Sequence, residues 1–194
     1  MANQAEIQRK YEILATAQKI LFEKNTVKIS LTEIAKELGI THVALYRHFK
    51  NKDDLWFSLA KHWLITTEND LNKIATSPAA NPVGQLHVWL TALTKAKQVT
   101  YQQHSALFSL YTDMVRTHPE LEAQHLQVLQ IQILSIFKIK QPNENDLAIS
   151  QAVLDAFTFF YDPRYKEHWS NPKINIRQEN MWQLISPAIK KWEN

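Results

Sequence analysis

Between residues 38 and 56 the chain reads LGITHVALYRHFKNKDDLW, and the side chains there that could do chemistry are donors and cations: Thr41, His42, Tyr46, Arg47, His48, Lys50 and Lys52. That set suits non-covalent recognition of a polyanion. Ammonium and guanidinium groups pair with phosphate oxygens, while other donors and small apolar groups can reach base edges. Bond-making chemistry has little to work with. There is no Cys, which removes thiol nucleophiles, disulfides and thiolate metal sites. Only 2 of 194 residues are Gly, which argues against a phosphate-cradling loop, and neither GxSxG nor HExxH occurs. No catalytic residue, no cofactor and no metal is expected. His118, Glu122 and His125 have spacings of four and three that would suit a metal on a helix face. Pro119, however, puts His118 at a helix cap, so the three read as solvated or capping residues.

The charge balance points the same way. The net charge is +3, and residues 1–62 hold ten Lys/Arg against seven Asp/Glu, so the whole excess lies in the first third of the chain. A localised positive excess is the electrostatic footprint of a polyanion partner. No stretch is long and apolar enough to span a membrane, and the N-terminus, MANQAEIQRKYE, has no hydrophobic signal core. A cytoplasmic protein is expected.

The elements that must position these side chains are helical. Residues 6–24 form an amphipathic pattern in which Tyr11, Leu14, Ala17, Leu21 and Phe22 share the apolar side. Asn25 follows and tolerates the left-handed conformation of a helix end. Ser30 with Glu33 forms a capping box that opens a second helix, whose inward stripe is Leu31, Ile34, Ala35 and Leu38. Gly39 ends it and Thr41 caps the next, in which Leu45 and Phe49 point inward. Helix, short helix, tight turn and short helix make a helix-turn-helix. His42, Val43, Tyr46 and Arg47 then lie on the faces left free to reach a duplex. Taken singly, Tyr46 reads as a surface aromatic and His48 as a histidine favoured by a helix C-terminus. As an ordered set on a capped helix they read as a recognition surface.

Asn51 or Asp53 starts a fourth helix running to about residue 74. TSPAANP is a connector in which Asn81 caps and Pro82 opens the next helix. Further helices are expected over 82–99, 103–116, 119–139, 144–161 and 176–192, with a long loop at YDPRYKEHWSNPKIN and a kink at Pro187. No strand, internal repeat or low-complexity tract is evident.

Over residues 10–64 the chain resembles the DNA-binding domain of the TetR family of bacterial transcriptional regulators. The likeness is carried by ILATAQKILFEKN, SLTEIAKELGIT and ALYRHFKNKDDLW. The resemblance implies that Thr41, Tyr46, His48 and Lys52 contact the sugar–phosphate backbone. It implies that His42, Val43 and Ala44 read base edges, joined by Thr32, and that Ser30 caps the second helix and touches a phosphate. Arg47 is a further candidate contact. Asn25 stands where the family often has Gly, and Val43 where small residues are frequent.

The resemblance also implies an all-α architecture of about nine helices: an N-terminal three-helix helix-turn-helix domain (residues 1–52) joined by a connecting helix to a larger helical C-terminal dimerisation and ligand-binding domain (residues 53–194). The broad apolar faces of the last two helices suit a four-helix interface in a homodimer, with Val153, Phe157, Phe160, Leu184, Ile185 and Ile189 as contacts. Trp89, Tyr101, His104, Phe108, Tyr111 and Met114 are candidate contacts for a small-molecule effector. The expected function is a dimeric, sequence-specific repressor released from a near-palindromic DNA operator by a small aromatic or lipophilic effector. An effector-independent DNA-binding dimer and an enzyme carrying a helix-turn-helix appendage are the competing readings.

Overall fold

A computed structural model of the chain describes residues 4–192. Those residues form nine α-helices and one 3-10 helix, with no strand among them. The helices are α1 (Gln4–Lys24), α2 (Leu31–Glu37), α3 (His42–Tyr46), α4 (Lys52–Ala75), α5 (Pro82–Gln103), α6 (Ser105–Thr117), α7 (Pro119–Ile136), α8 (Glu144–Tyr161) and α9 (Ile174–Trp192). The 3-10 helix, Pro163–His168, falls inside the segment expected to be loop. Asp162 explains it: its carboxylate accepts the Arg164 backbone N–H at 2.8 Å and pairs with the Arg164 guanidinium, which tightens the chain after α8. α9 runs through Pro187.

Two compact units divide the chain. The first comprises residues 1–64 and 102–121, the second residues 65–101 and 122–194. A division at residue 52 therefore does not describe the packing, because the start of α4 and all of α6 belong with the N-terminal helices. One apolar core joins them. Ile13, Leu14, Ala17, Ile20 and Leu21 of α1 meet Leu31, Ile34 and Ala35 of α2, Leu55, Leu59 and Trp63 of α4, and Leu107, Leu110 and Tyr111 of α6.

The buried stripe of α1 corrects the expected one. Ile13 and Ile20 are inside, whereas Tyr11 and Phe22 are exposed. Tyr11 lies against the His62 ring and Phe22 stacks on His104, so both aromatics cover the rim of the core. Leu38 is only partly buried.

The second unit is built on Leu86, Trp89, Leu90 and Leu93 of α5, Leu129 and Ile133 of α7, and Leu154 and Phe157 of α8. Trp89 Nε1–H donates to Gln132 Oε1 at 2.9 Å, and Gln132 Nε2–H donates to the Glu68 carbonyl at 2.9 Å, so α4, α5 and α7 share one buried polar link.

Candidate nucleic-acid interface

The reading surface is set by what closes α2 and opens α3. Ser30 Oγ accepts the Glu33 N–H at 3.1 Å, and Glu33 Oε2 accepts the Ser30 N–H at 2.8 Å, a complete capping box. Lys24 reaches the same carboxylate at 2.7 Å. The Lys24 hydrogen bond, followed by those from Ser30, holds the Glu33 carboxyl down at about 2. A second pair, Lys19–Glu37 at 2.9 Å, also ties α1 to α2.

At the other end of α2, Gly39 sits at φ +65°. The Ile40 N–H donates to the Ala35 carbonyl at 3.0 Å and the Gly39 N–H to the Lys36 carbonyl at 3.1 Å, the paired bonds of a Schellman turn. Ile40 packs against the core and fixes the angle at which the chain leaves.

Thr41 Oγ1 accepts the Ala44 N–H at 3.1 Å and caps α3. α3 is five residues long, shorter than its apolar pattern suggests, and the chain continues as turn through His48. Leu45 and Phe49 are fully buried and anchor it from below. Burying two such side chains is worth about 1.5–3 kcal/mol each, enough to hold a helix too short to persist alone.

The opposite side is open. Val43 is 68% exposed and Tyr46 44%, and Ser30, Thr32, Thr41, His42, Arg47 and Lys52 are exposed as well. His42 and Tyr46, one turn apart, meet edge-on at 4.8 Å between ring centroids, so each restricts the other's rotamer. Ala44 and His48 are half-buried, and His48 Nδ1 is buried with no hydrogen-bond partner among the described residues. The structure thus gathers the ten candidate residues on and around α2, α3 and the start of α4, with His48 the least accessible polar member.

Asn51 caps α4 by accepting the Asp54 N–H at 2.8 Å, and Asp54 returns the contact by accepting the Lys50 N–H at 2.8 Å. This fixes Lys52 in the first turn, where its ammonium lies 5.5 Å over the Trp56 ring. A cation held over an indole face keeps its remaining donors directed outward.

Sequence reasoning missed Lys10 and half of what Asn25 does. Lys10 places its ammonium 5.6 Å over the Phe49 ring, beside the end of the reading segment. Asn25, at φ +43°, spends its side chain on α6. The first has no signal in spacing, because α1 and α3 are joined only through folding. The second had half a signal, since a left-handed position filled by Asn and not Gly keeps a carbonyl oxygen available.

The other candidate residues are distributed between the two compact units and their interiors. Of the six effector candidates, Trp89 and Tyr101 lie in the second compact unit and His104, Phe108, Tyr111 and Met114 in the first. Tyr111 and Met114 belong to the core of the first unit, and Phe108 is buried against Tyr111. Of the six interface candidates, Val153, Phe157, Phe160 and Ile189 are already buried within the single chain. Leu184, 75% exposed, and the half-buried Ile185 remain available.

The metal-spaced set splits too. His118 Nε2 lies 3.6 Å from Asp53, Glu122 lies 4.0 Å from Arg164, and His125 Nδ1 lies 2.7 Å from Glu68. His125 is buried, not solvated or capping. Among the described residues no group of three or more His, Asp or Glu is placed to hold a metal ion. None of the described helices is long and apolar enough to cross a membrane.

A capped α2, a Schellman turn and a short anchored helix with an open polar face define a helix-turn-helix protein. The chain belongs to the TetR family: the model of bacterial regulatory proteins of the tetR family matches residues 13–59, and that of the Tetracyclin repressor-like C-terminal domain matches residues 82–182. An HTH-type transcriptional regulator of Staphylococcus aureus is 43% identical over 60 residues, which are 31% of this chain and 32% of that protein, so the match spans about a third of the relative's length. The crystal structure of a putative TetR-family transcriptional regulator from Mesorhizobium loti superposes with a TM-score of 0.69 at 15% identity over 96% of both chains. BioQ, solved with its natural double-stranded DNA operator, superposes with a TM-score of 0.56 at 20% identity over 92% of this chain and 98% of BioQ. At these identities the structural likeness speaks to the fold.

Proposed function

We propose that the protein is a dimeric, sequence-specific DNA-binding transcriptional regulator, a cytoplasmic repressor released from a near-palindromic operator by a small aromatic or lipophilic effector. The observation that carries the DNA-binding part is the division of α3: Leu45 and Phe49 sealed inside, His42, Val43 and Tyr46 facing out. In this reading His42, Val43 and Ala44, with Thr32, address base edges in the major groove. Ser30, Thr41, Tyr46, Arg47, His48 and Lys52 address the backbone, and Lys10 adds a phosphate contact at the end of the reading segment. Selection from a randomised duplex pool, followed by fluorescence anisotropy on the recovered sequence, tests it. Recovery of no common sequence would overturn it.

Dimerisation runs through the outward side of α9. Leu184 is the most exposed large hydrophobic side chain there, and the half-buried Met181 and Ile185 lie within a turn of it. A second copy would cover them in a two-fold contact, which also gives the two reading heads that a near-palindrome requires. Leu184→Arg should convert dimer to monomer in analytical ultracentrifugation and weaken operator binding. An unchanged sedimentation coefficient would move the interface elsewhere. Release by an effector requires only that it bind the non-operator conformer more tightly than the operator-binding one.

A further inference from the structure

A cleft of about 470 Å³ lies within the second compact unit, between the connector that follows α4 and the end of α7. Small-molecule sites have volumes of roughly 300–1,000 Å³, so the space suits a compact ligand. Its apolar walls are Ala75, Pro78, Ala79, Ala80 and Ile136, and no Asp or Glu lines it. The charge in the lining is that of Lys138.

Most donors around the cleft are already spent. The hydroxyls of Thr76, Ser77 and Ser135 donate to the carbonyls of Asn72, Ile74 and Ile131 at 2.8, 2.9 and 2.8 Å. Gln85 Nε2–H donates to the Ile74, Ala75 and Ser77 carbonyls at 2.6, 3.2 and 3.0 Å. The carbonyls that end α4, which would otherwise repel an anion, are thereby occupied. Lys138 is exposed and forms no ion pair among the described residues. The Ala79 and Ala80 N–H groups likewise have no acceptor there. Lys138 also stands at φ +58°, a conformation that glycine would adopt at lower cost. A lysine kept in a costly conformation at the edge of a cleft needs a reason other than the turn.

We propose that this cleft binds the effector, and that the effector is a small carboxylic acid with a compact apolar body. Its carboxylate pairs with the Lys138 ammonium and accepts from the Ala79 and Ala80 N–H groups, and its body lies on the alanine, proline and isoleucine walls. The proposal rests on the effector-released repressor described above. It places the recognition point away from the aromatic residues singled out by sequence.

Benzoate is the probe, with benzyl alcohol, which keeps the ring but carries no charge, as the control. Both are titrated into the full-length protein by calorimetry at low and high salt. An ion pair with an exposed lysine is modest and screened, so benzoate is expected to bind about 5-fold more tightly than benzyl alcohol at low salt, with a smaller preference at high salt. Lys138→Asn, which tolerates the left-handed backbone, is expected to abolish the preference, and Lys138→Arg to keep it. In 15N-labelled protein the backbone amide resonances of Ala79, Ala80 and Lys138 are expected to shift when benzoate is added, a readout that needs no variant. No binding of benzoate, equal affinity for the two compounds, or shifts confined to other residues overturns the site. Operator release is measured separately by anisotropy. Benzoate bound at Lys138 that leaves operator affinity unchanged overturns the effector role while the binding site stands. Release by some other compound that leaves these three amides unmoved overturns the cleft as the effector site while the repressor reading stands.

Discussion

Asn25 Oδ1 accepts hydrogen bonds from Ser105 Oγ at 3.0 Å and from the Ala106 N–H at 3.2 Å. The residue that ends α1 in a left-handed turn therefore also caps α6, eighty residues away, whose own cap position, His104, supplies no side-chain bond. One side chain does two jobs that glycine, the more usual residue at such a turn, would leave half done.

Two substitutions separate those jobs. Asn25→Gly keeps the left-handed backbone and loses the cap, and should lower stability by about 0.5–2 kcal/mol. Asn25→Ala also meets the backbone penalty and should cost about 1–2 kcal/mol more. Urea denaturation of the two variants checks the order. Equal losses would mean that the left-handed backbone carries no penalty, and a Gly variant as stable as the parent would mean that the cap contributes nothing.

The protein carries a natural comparison for the same conformation. Gly39 lies at φ +65° with open space where a Cβ would project, so Gly39→Ala should cost about 1–2 kcal/mol from backbone conformation alone. Lys138 sits at φ +58° after α7, where the Ile139 N–H donates to the Leu134 carbonyl at 3.0 Å and the Lys138 N–H to the Ser135 carbonyl at 3.0 Å. Lys138→Gly should stabilise the protein by about 0.5–1 kcal/mol. Thermal or chemical melts should therefore move in opposite directions for the two changes.

On DNA, Lys52→Ala should weaken binding to every sequence alike and reduce the salt slope by about one unit. His42→Ala should leave the slope unchanged and relax preference at one base pair of each half-site, by about 1–3 kcal/mol. Anisotropy titrations across salt concentrations, together with a single-position mismatch series, distinguish the two roles. An unaltered mismatch profile in His42→Ala would remove His42 from base readout.

Lys97 sets a pH dependence. Burial pushes its ammonium down to about 7, against the pull of Glu68 and Asp162. Between about pH 7 and the ordinary lysine value near 10.5 the unfolded chain holds a proton that the folded chain has released. Stability should therefore rise as pH climbs through that window and be lowest below about 7. Lys97→Met removes the titrating group and should flatten the curve across that window. Chemical denaturation from pH 6 to 10 measures both effects.

Much of the reading head was legible because its signals are local. Ser30 with Glu33, Gly39, and Thr41 before a short apolar pattern each act within a few residues, and the structure places each cap where the pattern puts it. The second half was legible as helices and not as partners. The Phe108, Tyr111 and Met114 stripe correctly marks a buried side of α6, but periodicity does not say which neighbours bury it, and they are α1 and α4. Val153, Phe157 and Phe160 likewise mark an inward face and not a face for a second copy. Lys97 carried an unused signal. It stands in register with Leu86, Leu90 and Leu93, and a lysine continuing an apolar stripe is a charge bound for the interior.

α6 supplies one wall of the N-terminal core, with Leu107, Leu110, Tyr111 and Met114, yet it is separated from α1 to α3 by the whole of α5. A ribosome that has released residues 1–64 has thus delivered the reading helices without the surface they close on. The nascent head must wait, its apolar side uncovered, until residue 121 has emerged. Cutting the gene after the recognition motif would make that unfinished state permanent.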